Sequence, residues 1–372
     1  LSILSILTPL FPVNTDTIVI TDSIDFQKSL MNHLRSFKLP IAMIMGVLAY
    51  YLFRALPLDT EGERMLYATI TRAIQPSLIF VMLFLSFLRV SPHDLKPHRW
   101  HGILLLTQGG LFALCSLAAY ACGLLPTTIA EDMKLLLEGA MLCFICPTAT
   151  ASAVIVRKLG GSMSGIVTYI LLCNMMVSIL APAFLPLVEP HAGIDFFTEL
   201  FLIMGQVFPL LLCPLLLAII TRHYCQKLCA KLLSMPDLPF YLWLIALPLA
   251  ITVTVRTIYN SHIALSLLLW LSLVSLVACI IQFALGRMIG RRYPQPVKDP
   301  SEWKRAVYDP TTFISAEERS AITAGQAFGQ KNTVFVIWLG LMFLNPITSV
   351  VGGCYSIWHN IINSWQLYKA GK

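Results

Sequence analysis

Cys146-Pro-Thr-Ala-Thr-Ala-Ser152 interrupts one long apolar run of the sequence, and Thr323-Ala-Gly-Gln-Ala-Phe-Gly-Gln-Lys-Asn-Thr333 interrupts another. Both stretches are rich in small and polar residues where a lipid-embedded helix favours leucine or isoleucine. Pro147 removes an amide donor, and Gly325 and Gly329 loosen the backbone, so both helices are expected to be broken there. Broken helices at matching places of two halves point to a transporter binding site, because half-helix ends offer free amides and carbonyls at mid-membrane.

The rest of the chain fits that setting. Of its 372 residues 57% are hydrophobic and 12% charged, against roughly 25% charged in soluble domains. Apolar runs of about 20 residues recur almost throughout, long enough to cross a hydrocarbon core of ~30 Å. Backbone amides in lipid must be satisfied within the segment, so these runs are helices. The ten cysteines are scattered, and Cys115, Cys173, Cys213 and Cys279 lie inside apolar runs, as small buried hydrophobes do. Leu1 to Pro12 is apolar but lacks a basic flank and is too short to span. It makes a poor signal peptide and is expected to rest on the surface or the membrane interface.

Ten spans are predicted: Leu39 to Leu56, Tyr67 to Leu88, Trp100 to Leu124, Met133 to Val156, Ser162 to Val188, Phe196 to Thr221, Leu238 to Ile258, Ala264 to Ile289, Ala321 to Leu344 and Ile347 to Leu367. With the amino terminus inside, the cytoplasmic segments collect Lys28, Arg35, Lys38, Arg89, Lys96, Arg99, Arg157, Lys158, Arg222, Lys227, Lys231, Arg287, Arg291, Arg292, Lys298, Lys304, Arg305, Lys369 and Lys372. The outer connections keep little more than Arg54 and Arg64. That asymmetry sets both termini in the cytoplasm, and the net charge of +7 is a topology signal with no call for nucleic acid. Five spans per half require the halves to be inverted relative to each other. The expected fold is therefore an all-α integral membrane protein of ten helices, an inverted 5+5 repeat with two broken, crossing helices. Residues 1–38 form an amino-terminal tail, 39–190 the first repeat, 191–367 the second with a cytoplasmic insert at 293–319, and 368–372 a carboxy-terminal tail.

Lys331 falls near the middle of the ninth span. An ionised lysine there costs about 2.5–3.5 kcal/mol on insertion scales, so it needs a partner or a wet cavity. Glu138 and Glu199 lie in the first turns of their spans, and no carboxylate stands at mid-depth. A fixed cation without a protein counter-ion points to a substrate that supplies the negative charge. The competing readings are snorkelling and a neutral amine resting on carbonyls. Gln108 and Asn174 are buried amides that serve either the site or an interhelical hydrogen bond. Thr148, Thr150 and Ser152 either line the site or bond back to their own helix. Gln326, Gln330 and Asn332, beside Lys331, complete the candidate set. Cys143 and Cys146 share one helical face, as a soft-metal or arsenite pair would, but no histidine accompanies them within the span. Arg72 of span two either faces the cavity or, being placed near a helix end, snorkels, and the second reading is preferred. His33, His93, His98, His101 and His359 are placed near ends or loops and form no ligand set. No phosphate loop, nucleophile elbow or zinc motif occurs, which counts against an enzyme. No metal site and no cofactor are expected.

These residues resemble a known family. Pro147-Thr-Ala-Thr-Ala-Ser-Ala153 is similar to the Pro-Gly-Gly-Thr-Ala-Ser-Asn stretch of the fourth helix in the bile acid:sodium symporter family. Ala327-Phe-Gly-Gln-Lys-Asn332 resembles its Glu-Val-Gly-Met-Gln-Asn stretch in the ninth helix. Pro76 to Lys96 resembles its second helix and the following Lys-Pro-x-Asp-Phe turn, and Gln108 falls where the family has a third-helix glutamine. The resemblance implies a core domain of spans three to five and eight to ten, and a panel domain of spans one, two, six and seven. Substrate would lie between them. It also implies a degraded sodium site: Ala327 stands where the family has a coordinating glutamate, Lys331 where it has a glutamine and Ala153 where it has an asparagine. Gln108, Ser152 and Asn332 keep a polar group there, and Asn174 stands roughly where a threonine ligand would be.

The expected function is a secondary-active transporter or facilitator of an organic anion, either bile-acid-like or a small carboxylate or sulfonate. It would work by alternating access in the cell (inner) membrane without sodium coupling. The expected partners are that anion and the lipid bilayer; the sequence leaves the oligomeric state open, a monomer included. The alternatives are an arsenite-type efflux carrier and a membrane receptor that binds ligand on a transporter fold without moving it. An intramembrane enzyme ranks last, since no acid and base pair up at one depth.

Overall fold

The structure, a computed structural model, describes residues 38–89, 95–235, 238–261, 264–295 and 314–370. The expectations for the amino-terminal tail, for His33 and His93, and for most of the insert at 293–319 lie outside these residues. The described chain is helical, with one isolated β-bridge and no named strand among these residues. In order the helices are α1 (Lys38–Ala55), α2 (Thr60–Leu88), α3 (Arg99–Gly123), α4 (Thr128–Ile145), α5 (Ser152–Lys158), α6 (Met163–Val188) and α7 (Phe196–Tyr224). They continue with α8 (Gln226–Leu233), α9 (Leu238–Asn260), α10 (Leu265–Arg292), α11 (Ala316–Gly329), α12 (Thr333–Phe343) and α13 (Val350–Ala370). Among the described residues six helices are long and apolar enough to cross a membrane: α2, α3, α6, α7, α10 and the Tyr241–Asn260 stretch of α9. Leu106, Leu114, Phe201 and Leu269 are more than 60% exposed on them, which a water-soluble monomer rarely tolerates over a whole bundle.

Local chemistry sets the helix starts. Asp59 caps α2 by accepting from the Gly62 amide at 2.7 Å, with Glu61 and Glu63 in the positive first turn. Asp195 caps α7 by accepting from the amides of Phe197 and Thr198 and from the Thr198 hydroxyl. The bonds from Thr198 hold its carboxyl below the usual carboxylate range. Ser315 caps α11 through the Glu318 amide. The cap at Asp59 starts α2 seven residues before the expected Tyr67, so Arg72 is not near a helix end. It lies exposed in a π-helical turn, Ile70–Ile74, part-way along α2. His359 is likewise not terminal: it is buried within α13, edge-on to Tyr355 at 5.6 Å. Tyr368 to Ala370, expected in the tail, continue α13.

The helices sort into two packed groups. The helices α1, α2, α7 and α9 contact one another, while α3, α4, α6, α10, α11 and α13 form the other set, with α6 against α7 and α12 against α2 and α9 joining them. Within the first group α1, α2 and α9 carry small hydrophobic clusters of their own, around Tyr50, Tyr67, Ile70 and Val253 and around Ala42, Leu247 and Ile251. The Thr252 hydroxyl lies 2.8 Å from both Gly46 O of α1 and Pro248 O of its own helix.

The tightest contact is α10 on α11, where glycine removes the side chain that would hold the backbones apart. A Cβ on Gly286 would lie 2.5 Å from the Ala324 carbonyl oxygen, one on Gly290 would strike that of Ser320, and one on Gly325 would meet Arg287 Cγ at 2.6 Å. At the outer edge of this contact Glu318 holds both Arg287 and Arg291. Gly290→Leu is therefore expected to destabilise the protein by at least the ~1–3 kcal/mol typical of overpacking. Thermal unfolding of the purified chain in detergent should show a lowered midpoint, with Gly110→Ala, where a Cβ meets nothing within 4 Å, as the neutral control.

Candidate functional site

Both expected breaks are present. Pro147 has no amide to give, so α4 ends at Ile145, Cys146 turns to φ −51°, ψ 127°, and helix resumes at Ser152. On the other side α11 ends at Gly329, Gln330 is extended at φ −91°, ψ 104°, and Asn332 caps α12 by accepting from the Phe335 amide at 3.3 Å. The expected reason for the second break needs correction. Gly325 stays inside α11, and neither it nor Gly329 adopts a positive φ, which among the glycines only Gly160 and Gly193 do. Gly329 is small because the Phe283 ring lies where its Cβ would be.

The two interruptions pair with each other. Ala149 donates its amide to Gln330 O and Asn332 donates its amide to Pro147 O, both at 2.9 Å, giving an antiparallel bridge between Thr148 and Lys331. The Thr148 hydroxyl donates to Ala327 O at 2.5 Å, and the Cys146 thiol lies 3.2 Å from Asn332 O. Each break thus supplies partners for polar backbone groups that the other leaves open.

Two glutamine–tyrosine pairs brace this crossing. Gln108 of α3 donates from Nε2 to Cys146 O at 3.2 Å and accepts from Tyr169 OH of α6 at 2.9 Å. Gln282 of α10 donates from Nε2 to Cys143 O at 3.3 Å and to Tyr355 OH of α13 at 3.2 Å, and Tyr355 OH donates to Gly329 O at 2.8 Å. Tyr169, Gln282 and Tyr355 were not singled out from the sequence. A lone glutamine deep in the apolar run of α10 was the available signal for one of them.

The candidate residues separate into groups. Gln108, Thr148, Asn332 and the backbones of Gln330 and Lys331 meet at the crossing through the bonds above. Ser152 is fully buried at the start of α5, and its Oγ has no hydrogen-bond partner among the described residues; the same holds for Gln330 Oε1. Thr150 is half-buried in the turn between α4 and α5. Asn174 is fully buried on α6 with both amide atoms unpaired. Gln326 lies one turn before the break and donates to Asn363 and Gln366 of α13, so it ties α11 to α13.

Lys331 is 1% exposed, with no hydrogen-bond acceptor for its Nζ among the described residues. The amine sits 4.9 Å from the Phe328 ring centroid, with the sulfur atoms of Cys143, Cys146, Cys173 and Cys279 within electrostatic reach. It does not snorkel to a surface. The nearest buried carboxylate along α4, Glu138, belongs to a separate cluster, 3.5 Å from Lys134, which also pairs with Glu189. Among the described residues no group of three or more His, Cys, Asp or Glu side chains is placed to hold a metal ion, so Cys143 and Cys146 do not extend into a metal or arsenite cluster there.

A crossing of two interrupted helices inside a bundle of apolar helices is the setting in which the sequence comparisons take on meaning. The model of the SBF-like CPA transporter family, a bile acid:sodium symporter-like group, matches residues 40–351. The chain belongs to that family. It is therefore an integral membrane protein of a transporter family, and the matched range contains both breaks. No curated protein matches the chain.

The braces should be measurable. Gln108→Leu leaves Cys146 O and Tyr169 OH without their partner, a loss of about 1–3 kcal/mol for buried groups. Tyr169→Phe should lose about 1 kcal/mol. Because both act through Gln108, unfolding of the double variant should show less than the sum of the two losses; strict additivity would separate the contacts.

Proposed function

We propose that this protein is a secondary-active transporter or facilitator of an organic anion that works by alternating access without sodium coupling. The observation that carries this reading is Lys331: one lysine, buried beside the meeting of two broken helices, with no hydrogen-bond acceptor for its amine among the described residues. In a sodium-coupled relative of this design a cation would be expected at such a crossing. A covalently attached ammonium supplies positive potential in its place and repels a free cation. A transported carboxylate or sulfonate then supplies the counter-charge when the crossing is opened to it.

The proposal includes the ten-span inverted repeat. α4 with α5, and α11 with α12, each make one broken span; the third-span Gln108 pairs with the fifth-span Tyr169, and the eighth-span Gln282 with the tenth-span Tyr355. That matched pairing across the two halves supports an inverted duplication. The contacts of α9 with α1 and α2 and of α2 with α7, with small clusters on α1, α2 and α9, support a panel that moves against the remaining core. In this reading both termini are cytoplasmic and the protein lies in the cell membrane.

The test is uptake of labelled taurocholate and of a small carboxylate, benzoate, into proteoliposomes. Uptake of at least one should persist when external sodium is replaced by potassium, and Lys331→Gln should lower it at least tenfold. Accumulation that collapses without sodium would sink the coupling claim. Saturable binding of either anion with no accumulation would point to a receptor on a transporter fold.

A further inference from the structure

Away from the crossing, a cavity of about 90 Å³ opens between the ends of α2, α6 and α7. Its wall is apolar, made by Phe87, Val167, Leu171, Leu215 and Ala218, with Leu95 from the segment after α2. Two features fix what it could take. Ile219, on the same lining, is 47% exposed on the flank of α7, so the cavity has an edge on the lipid-facing surface as well as on the bundle. Arg222 lines the cavity one turn further along α7. One of its guanidinium nitrogens donates to Leu88 O at 2.6 Å, holding the carboxy-terminal end of α2. A guanidinium carries five N–H donors, so this bond leaves capacity for an anion.

The positive charge continues past Arg222. The short helix α8 follows α7 with Cys229 buried and Leu232 packed on the core, while Lys227 and Lys231 are exposed. That is the pattern of a helix lying along a membrane surface with basic groups at headgroup level. Apolar walls beneath a basic rim suit part of a lipid tail below its headgroup.

We infer that this cavity seats part of one acyl chain of an anionic phospholipid from the adjoining leaflet, entering past Ile219, with its phosphate held by Arg222 and supported by Lys227 and Lys231. The lipid would wedge between α6 and α7, the contact that joins the two helix groups, and so would bias how they sit against each other. The leaflet is the cytoplasmic one if the orientation proposed above holds, but the site itself does not depend on that reading.

The experiment compares thermal unfolding of the full chain in nanodiscs of phosphatidylcholine alone and with about one-fifth phosphatidylglycerol, following tryptophan fluorescence. A ligand that binds the folded form raises its midpoint by mass action, and a gain of about 2–4 °C is expected for a chain of this size. Arg222→Gln should lose most of that gain, and Ile219→Trp, which fills the entrance and keeps every charge, should lose it too. Because each variant is compared with itself across the two lipid mixtures, a change in its intrinsic stability cancels. No gain in the wild type, or an equal gain in all three proteins, would overturn the site. A gain lost in Arg222→Gln but kept in Ile219→Trp would show headgroup attraction without a seated chain and would overturn it as well. No flux is measured, so the outcome is independent of whether the protein carries organic anions.

Discussion

The structure depends on one constraint: a peptide group inside a membrane protein needs a hydrogen-bond partner, and two helices that stop part-way must find theirs in each other. Ala149 and Asn332 give their amides to Gln330 and Pro147, so two interruptions that would each be costly alone become a two-residue patch of sheet. Everything around the patch follows from holding it. The Gln108–Tyr169 and Gln282–Tyr355 pairs donate to the carbonyls of Cys146, Cys143 and Gly329 beside the patch, and the glycines of α10 let it and α11 come into backbone contact.

One large core runs through both groups of helices, with Ile79 and Leu83 of α2, Val207 and Leu211 of α7 and Ala246 of α9 among its members, and α1, α2 and α9 add small clusters of their own. The packing of α6 on α7 is the broadest contact between the groups, and the cavity beside Arg222 lies along that seam. Any movement of one group against the other has to pass through that seam.

Much of this was legible in the residues. Hydropathy placed most of the long helices to within a few residues, since ends deep in apolar sequence are set by where polar groups begin, but it gave no sign of the short helix α8. Where a cap sets the end, hydropathy misplaces it: Asp59 starts α2 about two turns before the expected Tyr67, which puts Arg72 part-way along the helix. Pro147 announced the first break because a missing amide is a local property. The second break was foreseen for an incomplete reason. Glycine can mean a permissive backbone or a close neighbour, and only the Phe283 ring on Gly329 decides between them. Long-range partners were out of reach: nothing local to Tyr169 or Tyr355 says that a glutamine two helices away, itself holding a broken end, will meet it. Gln326 was read as part of the site because it is polar and near Lys331 in sequence, while its amide turns to Asn363 and Gln366.

The bridge between the two interruptions also sets a timetable for synthesis. Thr148 and the Ala327 carbonyl that receives its hydroxyl are separated by 179 residues. At translation rates of about 5–20 residues per second, the first interruption waits roughly 10–40 s before its partner leaves the ribosome. During that interval the open peptide groups after Cys146 must be met by water, by lipid headgroups or by the insertion machinery. The half-made protein is therefore a distinct species with an unsealed seam at its centre, and the quality of its handling in those seconds decides how much chain reaches the finished state.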